Sequence, residues 1–324
     1  MRRPTPPGRA RQGGIALLTA VVLVALATVV ATAIAFDTTL AARRGGGAAA
    51  YDEAQQLTVA AEAIAAAAIS RNRQQANAAI HGGQDWAQPF GPLEVMPGHV
   101  LAAGMIDLQG RFNLNNLTKA DGKINTEAVE VFRRLLENVG LESDWAMPMA
   151  DWIDEDLQVE PGGAEDGVYT SETPGYRPPN RVITNPTEML ALHDFGLERW
   201  SKIAPYVTAL PRGTAINLCT APGELLDALT HQHQWTGSPD ALQRNRAGKC
   251  FPDQASFDGM FADPAARQKL AQALPVSEIS DWFQLRTLAT IGTSDFALYS
   301  LLHHQTGPGG GGGRVRVLGR TFTE

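Results

Sequence analysis

The chain contains little cysteine and little charge for its length. Its 324 residues include only two cysteines, too few for a zinc site built from cysteines alone or for a disulfide-dense scaffold. Charged residues make up 19% of the chain and the net charge is −7, which argues against general nucleic-acid binding. A hydrophobic content of 44% excludes wholesale disorder. The composition therefore indicates a globular protein, of about two domains at roughly 150 residues each.

A long apolar segment follows a basic N-terminus. Four arginines and no acidic residue precede Ile15, and no charged side chain occurs between Gln12 and Phe36. About 22 apolar residues at ~1.5 Å each span the ~30 Å hydrocarbon core of a membrane as a helix. The arginines place the N-terminus in the cytoplasm and the rest of the chain across the membrane. The alternatives are a cleaved secretory signal, with Ala31-Thr32-Ala33 at its end, and a plain membrane anchor.

The remaining pattern predicts an α+β fold with a helical insertion. A helix is predicted from about Tyr51 to Ala79, after a loose Gly45-Gly46-Gly47, with a flexible linker as the alternative. Residues 82–98 are predicted to be a loop, and Met105–Leu114 alternates like a strand that ends in a turn. The other predicted elements are helices at Asn125–Val139, at Glu188–Leu192 and from Glu224, and three antiparallel strands at Trp282–Leu288, Phe296–Leu302 and Arg314–Leu318.

An acidic cluster is the main candidate site. Seven carboxylates and no basic residue lie between Asp151 and Asp166, and that much negative charge costs free energy unless a cation neutralises it. Closely spaced oxygen ligands with glycines for tight turns suit Ca²⁺ better than Mg²⁺. The spacing is not that of an EF-hand. The alternative is a solvated acidic loop.

The cysteines, histidines and a glycine run give weaker signals. Cys219 and Cys250 are predicted to form a disulfide, since the compartment across the membrane is oxidising; two free buried thiols are the alternative. His231, His233, His303 and His304 are predicted to be surface residues. Gly309–Gly313 is predicted to be a flexible hairpin loop.

The N-terminal junction resembles a prepilin signal. Arg11-Gln12-Gly13-Gly14 is followed at once by Ile15-Ala16-Leu17-Leu18-Thr19, as in type IV pilins and type II secretion pseudopilins. The resemblance implies cleavage by prepilin peptidase after Gly14, methylation of Ile15, and retention of the apolar segment as the stem of a fibre. Thr19 stands at the fifth mature position, normally a glutamate. General secretion pathway protein K is the pseudopilin class that lacks this glutamate. A subunit without it can receive the next subunit's glutamate contact but cannot make its own, which suits the first position in a fibre.

Further stretches resemble the K-type pseudopilins along most of the chain. They are Asp107–Leu117, Asp151-Trp152-Ile153-Asp154, Gly163-Ala164-Glu165-Asp166, Tyr176-Arg177-Pro178 with Asn180, and Asn217–Pro222. The resemblance implies calcium in an inserted helical domain, with Asp154, Asp156, Glu165 and Asp166 as favoured ligands and Asp151 as a weaker one. It implies a non-enzymatic minor pseudopilin at the tip of the periplasmic pseudopilus, which supports export of folded proteins across the outer membrane.

The resemblance also implies partners, a location and a division of the chain. The partners are the minor pseudopilins of types I and J, the major pseudopilin, prepilin peptidase and the inner-membrane assembly platform, with no nucleic acid. The location is the bacterial inner membrane, with one span and a periplasmic C-terminal domain. The predicted divisions are a leader (1–14), a transmembrane and stem helix (15–80), a first part of the pseudopilin sheet (81–118), the inserted domain with the acidic loop (119–275) and a C-terminal β-meander (276–324).

Two other functions fit part of the sequence. A minor pilin of a type IV pilus shares the leader and stem, although the acidic insertion argues against it. A membrane-anchored periplasmic hydrolase would use two of the acidic residues for general acid–base chemistry.

Overall fold

The computed structural model describes residues 13–73, 78–307 and 313–322. Residues 1–12 of the predicted leader, and all of the predicted glycine loop except Gly313, lie outside these ranges. Residues 1–56 and 57–324 form two compact units, and each is described by itself.

The first unit is part of one long helix, α1 (Gly13–Asn72). Its large apolar side chains from Ile15 to Phe36 are exposed, and the helix is long and apolar enough to cross a membrane. The hydroxyl of Thr19 donates to the carbonyls of Ile15 and Ala16 at 3.1 and 3.0 Å. This satisfies the hydroxyl within the helix, as a lipid environment requires. The predicted apolar helix is confirmed.

The prediction of a loose segment at Gly45-Gly46-Gly47 is wrong. All three glycines lie within α1. Each costs about 1 kcal/mol relative to alanine in a helix interior, but the alanine-rich sequence on both sides favours helix strongly enough to carry the chain through them.

Strands in the second unit form one five-stranded antiparallel sheet and two short parallel pairs. The strands are β1 (Phe90–Met96), β2 (His99–Asp107), β3 (Phe112–Asn113), β4 (Val207–Thr208), β5 (Ile216–Asn217), β6 (Val276–Ser277), β7 (Trp282–Ile291), β8 (Ser294–Gln305) and β9 (Arg314–Thr321). The large sheet has the order β1-β2-β7-β8-β9. Its last three strands confirm the predicted meander.

Residues 57–72 of α1 lie on the inner face of this sheet. Their alanines pack with Phe283, Leu285 and Leu302 in one apolar cluster. The Glu62 carboxylate is buried there, where it accepts two hydrogen bonds of 2.7 Å from Arg320 of β9 and one of 2.6 Å from Ser300 of β8. A buried carboxylate requires this kind of pairing. The arrangement therefore fixes the helix against the C-terminal strands.

The chain between β2 and β7 forms a helix-rich insertion with its own core. Its helices are α2 (Thr126–Asn138), α3 (Ala146–Ile153), α4 (Asp166–Tyr169), α5 (Gly196–Ile203), α6 (Gly223–Thr230), α7 (Pro239–Asn245), α8 (Gln254–Asp258) and α9 (Pro264–Ala273). The predicted apolar stripe of α2 is buried at Val129, Phe132, Leu135 and Leu136. The helices predicted at Asn125–Val139 and from Glu224 are confirmed within one or two residues.

Polar side chains attach this insertion to the end of β2. The Asp107 carboxylate accepts hydrogen bonds from the Gln109 backbone, Asn217, Thr220 and Ser280 at 2.8, 2.8, 2.6 and 2.5 Å. Because the Gln109 bond turns the chain, β2 ends at Asp107 and not at Leu114 as predicted. The following Asn113 and Asn115 bond the backbone of residues 183, 210 and 211. The stretch after β2 is thus a buried polar connector.

The helix predicted at Glu188–Leu192 is present as a 3-10 helix over Pro186–Ala191. Two other local predictions are wrong. Residues 82–98 contain β1, because an edge strand tolerates the proline that argued for a loop. His304 is buried, with Nδ1 3.2 Å from the Asp281 carboxylate, which also pairs with Arg73 at 3.0 Å; the alternation along β8 places His304 on the covered face.

Candidate functional site

The acidic cluster lies where α3 ends and the chain returns toward α4. Asp151 occupies the last turn of α3, Asp154 follows that helix directly, and Glu165 precedes α4. Gly163 passes so close to Asp151 that an added Cβ would lie 1.9 Å from its Oδ2. Only glycine permits this approach, so the Gly162-Gly163 turn closes the loop over the carboxylate.

The cluster buries charge without pairing all of it. Asp151, Asp154 and Glu165 are only 0, 2 and 3% exposed. One oxygen of each carboxylate has no hydrogen-bond partner, and neither has the buried Oδ1 of Asn180. The Asn180 amide donates to the Asp156 carbonyl at 2.8 Å and to Glu165 Oε2 at 3.3 Å. Unpartnered buried oxygens are unfavourable, so this site requires a proton or a cation.

The acid–base properties of the cluster follow from its burial. Burial raises the pKa of Asp151 to about 7, and the neighbouring Glu165 charge adds to the effect. Burial, followed by the charges of Asp156 and Asp151, also raises the pKa of Asp154 to about 7. The pKa of Glu165 is raised by burial as well. Without a cation, Asp151 and Asp154 therefore retain protons close to neutral pH.

Asp156 and Asp166 lie in different surroundings. Asp156 is exposed, and its carboxylate accepts a hydrogen bond of 2.8 Å from the Gln158 backbone. Asp166 pairs with Arg177 at 3.0 Å. The structure therefore brings Asp151, Asp154 and Glu165 together as the buried group, with Asp156 and Asp166 at its edge.

Carboxylates alone do not form a complete ligand set. Within residues 13–73, 78–307 and 313–322, no three histidine, cysteine, aspartate or glutamate side chains are arranged to hold a metal ion. Ca²⁺ also accepts amide and main-chain carbonyl oxygens, and Asn180 supplies an amide oxygen that is buried and unpartnered. The residues present fit a calcium ion on this basis. Asn180 is not among the ligands predicted from the sequence. Its left-handed backbone, with φ of 45°, is a conformation that asparagine adopts more readily than most residues, but the sequence alone does not reveal it.

The cysteines form the predicted disulfide. Cys219 and Cys250 are joined, and the Cys219 backbone donates to the Asn217 side chain at 3.0 Å. Asn217 also contacts Asp107. The disulfide therefore tethers the α7–α8 region to the buried polar connector.

Comparison with known proteins assigns the chain to a family. The model of the family described as type II secretion system (T2SS), protein K, matches residues 110–212, which include the whole acidic cluster. Protein K of Klebsiella pneumoniae is 32% identical over 91% of this chain and 93% of its own length. Protein K of Pseudomonas aeruginosa is 32% identical over 68% of this chain and 69% of its own. The chain belongs to the type II secretion system protein K family.

A solved structure shows that the protein K fold extends over most of the chain. The crystal structure of the GspK–GspI–GspJ complex from enterotoxigenic Escherichia coli matches with a TM-score of 0.68 and 25% identity, covering 85% of this chain and 97% of that one. The predicted fold class is confirmed. The chain is accordingly a minor pseudopilin, a structural protein and not an enzyme, which confirms those two predictions.

Proposed function

We propose that this protein occupies the tip of the periplasmic pseudopilus together with minor pseudopilins of types I and J, and so supports export of folded proteins. The observation that carries the proposal is the likeness, over 85% of this chain, to a protein solved in complex with GspI and GspJ. Thr19 agrees with a first position, because its hydroxyl bonds its own helix and it has no carboxylate to offer to a preceding subunit. The major pseudopilin and the inner-membrane assembly platform would contact the tip complex from its inner-membrane side.

Complex formation tests this role. The full-length chain, co-expressed with the type I and type J subunits of the same bacterium, is expected to purify with both in constant proportion, because subunits of one tip must assemble with each other. Size-exclusion chromatography with light scattering measures the composition. An unrelated single-span periplasmic protein, expressed in place of this chain, should retain neither subunit. Elution of this chain alone from the co-expression would contradict the proposed role.

We also propose processing by prepilin peptidase at the junction of Gly14 and Ile15. The exposed apolar segment beginning at Ile15 supports a stem that enters the inner membrane with its N-terminus in the cytoplasm. Intact-mass measurement of membrane-extracted protein is expected to show loss of residues 1–14 and a gain of one methyl group. Gly14→Val, which removes the glycine before the proposed cut, is expected to leave the precursor mass. An uncut wild-type chain would rule out the processing.

Calcium binding at the acidic cluster is the third part of the proposal. The orphaned oxygens of Asp151, Asp154, Glu165 and Asn180 support it, since each would gain a partner. A bound cation would neutralise charge that the fold otherwise buries unpaired. Its effect would be to fix the loop from α3 to α4.

A pH-dependent calcium effect is expected from the raised pKa values. A carboxyl whose pKa is about 7 in the fold and ~3.9 in the unfolded chain stabilises the fold while protonated. Without calcium, stability therefore falls as pH rises from about 4 to about 7. At pH 7.5, calcium at 100 times its dissociation constant is expected to raise the free energy of unfolding by about 2.7 kcal/mol. At pH 5, protons compete with calcium for the carboxylates, so the increase should be small. Calorimetry in EDTA and in calcium measures both.

The matched controls are two aspartate-to-asparagine changes. Asp154→Asn should abolish the calcium response, whereas Asp240→Asn, at an exposed position of α7, should retain it. An identical melting temperature with EDTA and with calcium at pH 7.5 would show that the cluster binds no calcium.

A further inference from the structure

The C-terminal strand β9 is an open edge of the large sheet. Within the described part of the chain, β9 pairs only with β8, and six of its eight residues are exposed. An edge strand offers a row of backbone donors and acceptors to another chain, and proteins commonly protect such edges. Eight residues at ~3.3 Å each provide an edge of about 26 Å.

The first half of this edge is basic. Arg314 and Arg316 are exposed and lie opposite Gln305 and His303 of β8. Cross-strand neighbours point to the same side of a sheet, so both arginines project from the outer face, away from α1. No ion pair joins either one to an acidic residue among the residues described. Arg320, in contrast, is engaged by Glu62.

The second half of the edge lies beside a cleft. The pairing shifts between Leu301 and Leu302, where Leu318 is the extra residue, and this bulge returns Gly319 and Thr321 to the same outer face as the arginines. Both residues line a cleft of about 480 Å³. Its opposite wall is formed by Trp200, Pro205 and Pro186 of the insertion.

These three features define one track along β9. We propose that it binds an extended, acidic segment of a partner protein, which pairs with β9 as a sixth strand. Main-chain hydrogen bonds supply affinity in this recognition mode, and alternate side chains supply specificity. Every second side chain of the added strand would face the outer side. Acidic residues of the added strand would pair with Arg314 and Arg316. An apolar residue two to four positions further along the added strand would enter the cleft over Gly319.

Charge selects an acidic occupant. The chain carries 34 acidic against 27 basic residues, yet β9 contains no acidic residue and presents Arg314 and Arg316 on its outer face. The third arginine of β9, Arg320, is paired with Glu62. Arginines on an edge strand also discourage self-aggregation. That role requires neither a cleft beside the edge nor a glycine, Gly319, among the residues that line the cleft. The geometry therefore favours recognition.

The test uses the full-length protein in a non-ionic detergent and a labelled peptide. The probe is a fluorescein-tagged octapeptide with threonine at every second position. The remaining positions are glutamate in its first half and leucine in its second half. Fluorescence anisotropy is expected to show saturable binding that weakens as salt rises, and hydrogen exchange should show protection of residues 314–321. The double variant Arg314→Glu with Arg316→Glu should weaken binding at least tenfold.

Gly319→Leu probes the cleft separately. An added Cβ at Gly319 meets no atom within 4 Å, so the variant should fold normally, as an unchanged melting temperature would verify, and should weaken binding at least tenfold by filling the cleft. Arg244→Glu, an exposed arginine of α7, is the matched control and should bind like wild type. Absence of binding at millimolar peptide, equal binding of a lysine-for-glutamate peptide, or equal affinity of the β9 variants would overturn the proposal.

Discussion

Replacing Asp107 with alanine is expected to lower the free energy of unfolding by about 4–5 kcal/mol, because it removes the acceptor of a buried network. One oxygen of this carboxylate accepts from Asn217, Thr220 and Ser280, and the other accepts from the Gln109 backbone. All four are donors, which matches an ionised carboxylate that can only accept. Burial raises the pKa of Asp107 and the four hydrogen bonds oppose that rise.

Asp107→Asn is the informative companion. Asparagine keeps the shape of aspartate, but its amide group places a donor opposite other donors. We expect it to lower the free energy of unfolding by about half as much as alanine does, because the hydroxyls of Thr220 and Ser280 can rotate to accept. Urea denaturation followed by tryptophan fluorescence measures both. Thr290→Ala, which removes an exposed hydroxyl bonded to Asp295, should cost less than 1 kcal/mol. A cost below 1 kcal/mol for Asp107→Ala would show that the network does not hold the insertion on the sheet.

Removal of the disulfide is expected to lower the free energy of unfolding by about 3–4 kcal/mol. The bond closes a loop between positions separated by 31 residues, and the chain-entropy model gives this magnitude for a loop of that size. The double variant Cys219→Ala with Cys250→Ala is preferred to serine, because Cys219 is buried and a hydroxyl there would need a partner.

The wild-type protein, reduced with a phosphine, provides an independent measurement. Its loss of stability should match that of the double variant within about 1 kcal/mol, since both release the same loop. If neither change lowers the urea midpoint, the connection between Cys219 and Cys250 is redundant with the packing of Trp235 against Phe251, whose ring centroids are 5.5 Å apart.

The sequence allowed prediction of those elements whose stability is local. The stripe of α2 and the strict alternation along β7, β8 and β9 each encode one buried face, so periodicity alone placed them. The acidic cluster was also visible, because seven carboxylates without a basic residue demand an explanation. The arrangement of the carboxylates within the cluster was not visible in the sequence. Which carboxylate becomes buried depends on the turn at Gly163 over Asp151, which is a tertiary contact.

Other features depend on distant residues. β1 was predicted to be a loop because its proline opposes a strand, and only its place at an edge removes that objection. The connector after β2 was predicted to be strand as far as Leu114 and then a turn at Asn115-Asn116. The backbone partners of Asn113 and Asn115 near residues 183 and 210 are distant in the sequence and could not be predicted from it. His304 follows the same logic, because its burial depends on the covered face of β8.

The insertion leaves and re-enters the sheet at one spot. Asp107, the last residue of β2, lies opposite Phe283 near the start of β7, so two neighbouring strands remain in register across the whole of residues 108–281. The insertion therefore takes the place of a hairpin turn between β2 and β7. Such a turn can be lengthened or shortened by a whole domain while the strands keep their pairing, so one sheet can support subunits of very different size.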